Sequence, residues 1–175
     1  KLYGFTYLSY NTDFRNKTVQ ITKNLEVNAG NAADWAGSEP ANPWFPVNNF
    51  AGTFDGKGHT LKGIYLTDAQ TKSGLFAITM DKSVIKNFRL ENSYFKHVGD
   101  TNGQMGSIAG SLAGELNTVY SNAIIEGERL MYGGLVAAVY NKKAKISNCW
   151  YDGQINLGET GGWVGGIVGL LQSNK

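Results

Sequence analysis

The stretch IKNFRL, residues 85–90, places apolar side chains at its first, fourth and sixth positions, an asparagine at its third and polar groups between them. The same six-residue pattern aligns with TKNLEV (22–27), LKGIYL (61–66), YSNAII (120–125) and ISNCWY (146–151). A second motif interleaves with it: Gly74-Leu-Phe-Ala, Gly106-Ser-Ile-Ala, Gly134-Leu-Val-Ala and Gly166-Ile-Val-Gly, at spacings of 32, 28 and 32. Two short strands per repeat cannot bury an apolar face alone, but repeats coiled on one another can. The pattern therefore predicts an all-β chain wound as a single-stranded, right-handed parallel β-helix of about five to six turns, with like positions stacked at the strand spacing of roughly 4.8 Å.

Composition agrees with such a coil. Glycine accounts for 23 of 175 residues and proline for three, where glycine usually makes up about 7%. Helical periodicity is weak, and apolar runs rich in Val, Ile, Tyr and Phe are separated by Gly, Asn, Asp and Ser. The third positions, Asn24, Gly63, Asn87, Asn122 and Asn148, are expected to stack as a ladder, with glycine where the turn needs a positive φ. Ala77, Ala109, Ala137 and Gly169 suggest a narrow part of the coil. Asn column spacings of 39, 24, 35 and 26 imply inserted loops. One runs from Asn28 to Asn49 with Trp35, Trp44 and all three prolines, and the other from about Lys96 to Gln104.

The length fits one domain, 1–175. With 16 basic and 14 acidic residues and no long run of one sign, nothing resembles the basic stripe that follows nucleic acid or coats an anionic membrane. No apolar run approaches a membrane-spanning length. The single cysteine, Cys149, forms no internal disulfide and aligns with Leu25, Ile64 and Phe88 as a core thiol. A monomer cut from a longer protein, covalently linked to neighbouring domains, is expected.

The Gly-rich stretch FAGTFDGKGHTLKGIYL, residues 50–66, invites a chemical reading. A dinucleotide fingerprint would need glycine at Leu61 and a following helix, and a phosphate loop would need a four-residue gap and Gly-Lys-Ser/Thr. A calcium loop would need oxygen ligands where Lys57 and His59 stand. A tight corner with Asp55 bonding its own backbone remains. Two separated histidines, His59 and His97, make no zinc pattern.

The phrase GTFDGKGHTLKG, with Gly74-Leu-Phe, Ile85-Lys-Asn-Phe and Gly133-Gly-Leu-Val-Ala, resembles the GLUG-type repeats of bacterial extracellular proteins. The resemblance runs from about Asn16 to Gly169. It implies a secreted or cell-surface bacterial protein and no single activity, since such repeats serve as adhesin segments, stalks and accessory modules. Similarity to β-helical modules of glycan-degrading enzymes implies a polysaccharide partner, with xylan as the preferred polymer.

Two outward columns are candidate sites. Glu26, Tyr65, Arg89, Ile124 and Trp150 occupy the fifth position, and flat rings flanked by hydrogen-bonding groups suit sugar faces. Met131, Tyr132 and Trp163 should neighbour one another on adjacent turns. One residue beyond each strand lie Asn28, Thr67, Glu91, Glu126 and Asp152. Three stacked carboxylates there would make an acidic stripe able to hold calcium, or an acid–base pair about 5 to 10 Å apart for sugar chemistry. The expected ligand-binding set is Tyr65, Arg89, Trp150, Tyr132, Trp163, Glu91, Glu126 and Asp152. The reading is non-catalytic carbohydrate binding without an obligate cofactor. A structural or adhesin segment and a small polysaccharide lyase or hydrolase are the alternatives.

Overall fold

A computed structural model describes residues 2–9, 12–99, 103–128, 131–158 and 162–172. Beyond an N-terminal helix, Leu2–Ser9, and one 3-10 turn, Ala32–Asp34, every named element is a strand, and every strand pairing is parallel. The longest sheet stacks Thr18–Gln20, Thr53–Asp55, Val84–Glu91, Glu115–Ser121 and Lys145–Ser147 in that order. Three four-stranded sheets complete the coil. Their strands on the Val84–Glu91 turn are Tyr94–His97, Gln104–Gly106 and Ala109–Leu112. The result is a parallel β-solenoid of about four turns rather than five to six. The N-terminal stretch accounts for the difference, because it supplies only short strands, Thr18–Gln20 and Leu25–Glu26, to one side of the coil.

The true repeat is more even than the sequence alignment implies. Phe54, Ile85, Leu116 and Ile146 oppose one another on successive strands, at intervals of 31, 31 and 30 residues. IKNFRL and ISNCWY are correctly aligned, but Leu61 opposes Leu90 and Tyr120 opposes Arg89. The expected asparagine ladder is corrected accordingly. Asn87 and Asn148 share their column with Thr118, and all three hold positive φ, 59°, 53° and 56°. Asn122 stands at the next corner, where its side-chain carbonyl accepts the Asn92 amide at 2.8 Å. The narrow column also shifts by one, to Ala77, Gly110, Ala137 and Gly169, since Ala109 opposes Phe76 and Val136. A Cβ at Gly110 would lie 2.6 Å from the Ser73 amide nitrogen, so the close approach demands glycine.

The two ends of the coil differ. At the N-terminal end Phe5 of the helix stacks on Phe54 at 5.8 Å and meets Phe14, Phe50 and Phe76 edge-on. The 28–49 insertion adds Trp44 and Val47 to the core and follows the coil through isolated bridges from Pro43 and Val47, continued by one from Phe50 just after it. At the other end nothing described stacks on the last turn. Ile146, Cys149, Ile155, Leu157 and Ile167 are only half-buried, and Leu171 is 75% exposed. The second expected insertion, near Lys96 to Gln104, falls partly outside the described residues.

Candidate functional site

The positive φ at Asn87, Thr118 and Asn148 creases the last three rungs of the long sheet at the same place. Repeated turn upon turn, the crease becomes a groove on the outer face with a volume of about 590 Å³, running from Asp55, Lys57 and Gly58 to Trp150. Asp55 fixes one end. Its carboxylate accepts the Lys57 amide at 2.9 Å and the Asn87 side-chain amide at 3.1 Å, and Lys86 lies 3.9 Å away. Burial pushes this carboxyl up, yet the Lys57 amide, Asn87 and Lys86 together hold it below the ordinary aspartate range. The Gly-rich corner of residues 50–66 is therefore structural, as its sequence implied, and also forms one wall of the groove.

Beside the crease runs one outward column, Thr60, Arg89, Tyr120 and Trp150, joined residue to residue across adjacent strands. The Arg89 guanidinium lies over the Tyr120 ring, 3.9 Å from its centroid, and its Nε donates to Glu91 at 2.6 Å. Trp150 is 67% exposed. Arg89 and Trp150 thus share a surface, as the sequence suggested, but the ring between them is Tyr120, which sequence reasoning placed among core positions. The match of LNTVYS (116–121) to IKNFRL at 31-residue spacing was the signal that would have found it.

Other expected site residues lie elsewhere. Tyr65 is 4% exposed, stacked on Tyr94 at 5.8 Å and covered edge-on by Trp35 from the insertion. Its column is Tyr65, Tyr94, Ile124 and Gln154, distinct from that of Arg89. Met131 does neighbour Trp163 on adjacent strands, and Trp163 is exposed. Tyr132, in contrast, is buried, because it fills the space over Gly127, where a Cβ would collide with its hydroxyl. Cys149 packs on the core as expected, beneath Val119 and Phe88 rather than Leu25 and Ile64, and burial raises its thiol.

The acidic stripe does not assemble. Glu91 and Asp152 follow the register of Lys62 and Asn122, whereas Glu126 lies between Lys96 and Asn156 on a different sheet. Each side chain is differently engaged: Glu91 holds Arg89, Glu126 accepts the Tyr94 hydroxyl at 2.5 Å with Lys96 at 3.7 Å, and Asp152 is exposed. Burial and then Glu126 raise the Tyr94 hydroxyl well above its ordinary range. Among the described residues no group of three or more His, Cys, Asp or Glu gathers as a metal site. What the groove offers chemically is a ring surface, a guanidinium and a row of amide, hydroxyl and carboxylate partners.

Halomucin of Haloquadratum walsbyi is 28% identical to the chain over 127 residues, 70% of this chain and 1% of that protein. The chain thus spans about 1% of the length of the curated relative it matches. No family model matches, so membership of the GLUG repeats is not established, and no solved structure matches. No helix among the described residues is long and apolar enough to cross a membrane.

Proposed function

We propose that this β-solenoid is a non-catalytic module of a secreted or cell-surface protein that binds an extended polysaccharide in the creased groove of its long sheet. The observation that carries the reading is the in-register column of Arg89, Tyr120 and Trp150 beside Asn87, Thr118 and Asn148. Aromatic faces meet the apolar faces of sugars, and fixed polar groups select hydroxyls. A groove parallel to the coil axis suits a chain better than a single sugar. Nothing in it gathers carboxylates as a catalytic pair, so retention of the polymer without cleavage is the expected behaviour.

Affinity electrophoresis on a panel of soluble polysaccharides, xylan first among them, tests this. Removing the Trp150 ring should weaken binding about tenfold, the cost of losing one stacking ring, and should leave thermal stability nearly unchanged because the side chain is exposed. Retention by no polymer, or unaltered retention of Trp150→Ala, would overturn the proposal. New reducing ends or unsaturated products on prolonged incubation would instead make the protein an enzyme.

A structural or surface β-helix segment is the second reading. The β-solenoid fold and the likeness to one segment of halomucin are consistent with it. On that reading the groove retains nothing and the chain serves as a spacer or adhesive surface.

A further inference from the structure

We propose a second ligand site, on the inserted loop, that takes an acidic sugar residue: a saccharide ring carrying a carboxylate or a sulfate. The loop and the adjoining strand ends enclose a cavity of about 800 Å³ that shares no lining residue with the creased groove. Phe45, Asn48, Thr67, Thr71 and Lys72 line it.

Phe45 is 55% exposed although the chain on both sides of it is anchored. Before it, Trp44 is buried, donates its indole N–H to the Leu75 carbonyl at 3.1 Å and its amide to Tyr65 at 2.6 Å. After it, the Val47 amide donates to Leu75 and the Val47 carbonyl accepts the Ala77 amide, at 3.1 and 2.9 Å. Asn28 clamps the start of the loop, donating to the Asn42 carbonyl and accepting the Asn42 amide. Pro43 and Pro46 stiffen the backbone between these anchors. A ring kept in water by so rigid a support is preorganised for stacking, because little conformational freedom is lost when a ligand covers it.

Lys72 supplies the charge preference. It is half-buried, its side chain makes no ion pair or hydrogen bond with the described side chains, and no carboxylate stands among the described lining residues. A cation lining the cavity without a described counter-ion favours an anionic ligand. Asn48, Thr67 and Thr71 add groups that bond sugar hydroxyls. Ring, cation and hydroxyl partners in one cavity match a sugar acid better than a neutral glucan, which leaves Lys72 unanswered.

The experiment uses the full 175-residue chain with polygalacturonate as the carboxylate probe, dextran sulfate as the sulfate probe and dextran as the neutral control, by calorimetry at low and high salt. Binding to at least one acidic probe, weakened by salt, is expected. Phe45→Ala and Lys72→Gln should each lower that affinity about tenfold, as loss of a charge-assisted contact does, while Lys72→Arg retains most of it. Unfolding midpoints of these variants should match wild type, which separates loss of binding from misfolding. Each titration is repeated in the Trp150→Ala background, where the binding that remains reports the loop cavity alone, so the site stands or falls separately from the creased groove. No binding to either acidic probe, no acidic-probe binding left in the Trp150→Ala background, or unaltered binding there by both Phe45→Ala and Lys72→Gln would overturn the proposal.

Discussion

The Phe54, Ile85, Leu116 and Ile146 ladder predicts a gradient of stability along the coil, tested by shortening one rung at a time. Leu116 has no exposure and is sandwiched between Ile85 and Ile146. Leu116→Ala removes apolar volume worth about 2 kcal/mol by transfer and leaves a cavity between two fixed rungs, for a total of about 3–4 kcal/mol. Ile146 is only half-buried, and no described strand stacks beyond it. Water fills the space left by Ile146→Ala, so only part of the transfer cost applies, about 1 kcal/mol. In a protein of this size each kcal/mol moves the melting temperature by about 2–4 °C. Leu116→Ala should therefore lower it by about 6–16 °C and Ile146→Ala by about 2–4 °C, read by far-ultraviolet circular dichroism on heating. Equal shifts, or a larger one for Ile146→Ala, would refute the idea that rungs are stabilised from both sides and that the last turn is open.

Two further outcomes follow from local geometry. Gly58 and Gly63 both hold positive φ, +80° and +76°, but a Cβ at Gly58 meets nothing within 4 Å whereas one at Gly63 lies 2.1 Å from the Asn28 carbonyl. Gly58→Ala should cost about 1–2 kcal/mol of backbone strain and Gly63→Ala clearly more; urea midpoints in the reverse order would refute the assignment of Gly63 as a contact point. The Asp55 carboxyl is held below its ordinary value of 3.8, so its stabilising contribution is complete above that value and lost as pH falls through the lower folded value. Wild type should lose stability as pH falls below about 4 more steeply than Asp55→Asn, and parallel acid titrations of unfolding would contradict this.

The strand pattern was readable because burial on a pleated coil imposes it locally. Ile85–Leu90 and Ile146–Tyr151 aligned correctly, and Arg89 and Trp150 with them. The register of LKGIYL was misread for a specific reason. Each long strand is creased by a left-handed residue and ends at a second corner, and the two corners carry nearly the same motif: apolar, polar, then usually Asn or Gly. Leu61-Lys-Gly63 resembles Ile85-Lys-Asn87, yet Leu61 opposes Leu90. Local similarity cannot say which corner is which, and one misplaced corner puts Tyr65 in the Arg89 column, whereas it stands outward on the next sheet beside Tyr94. Its burial further depends on Trp35, thirty residues earlier, which no periodicity connects to it. The carboxylates failed for the same reason, since Glu126 belongs to the strand after the corner and Glu91 to the strand before it.

The crease also explains why a groove, rather than a flat face, carries the exposed column. The coil needs its inward positions apolar, and Phe88, Val119 and Cys149 meet that need directly beside the left-handed residues. It places no such demand on the next outward position. Threonine, arginine, tyrosine and tryptophan fill it, and the last of these leaves a large ring in water at a cost the fold does not require. Stacked Arg89 and Tyr120 restrict one another and keep the column upright. Because parallel register fixes neighbouring rungs at one strand spacing, the rings keep a constant separation along the axis. A repeating ligand can meet such a surface repeatedly, which is the physical reason to look for a polymer in this groove and for a single acidic residue in the compact cavity of the loop.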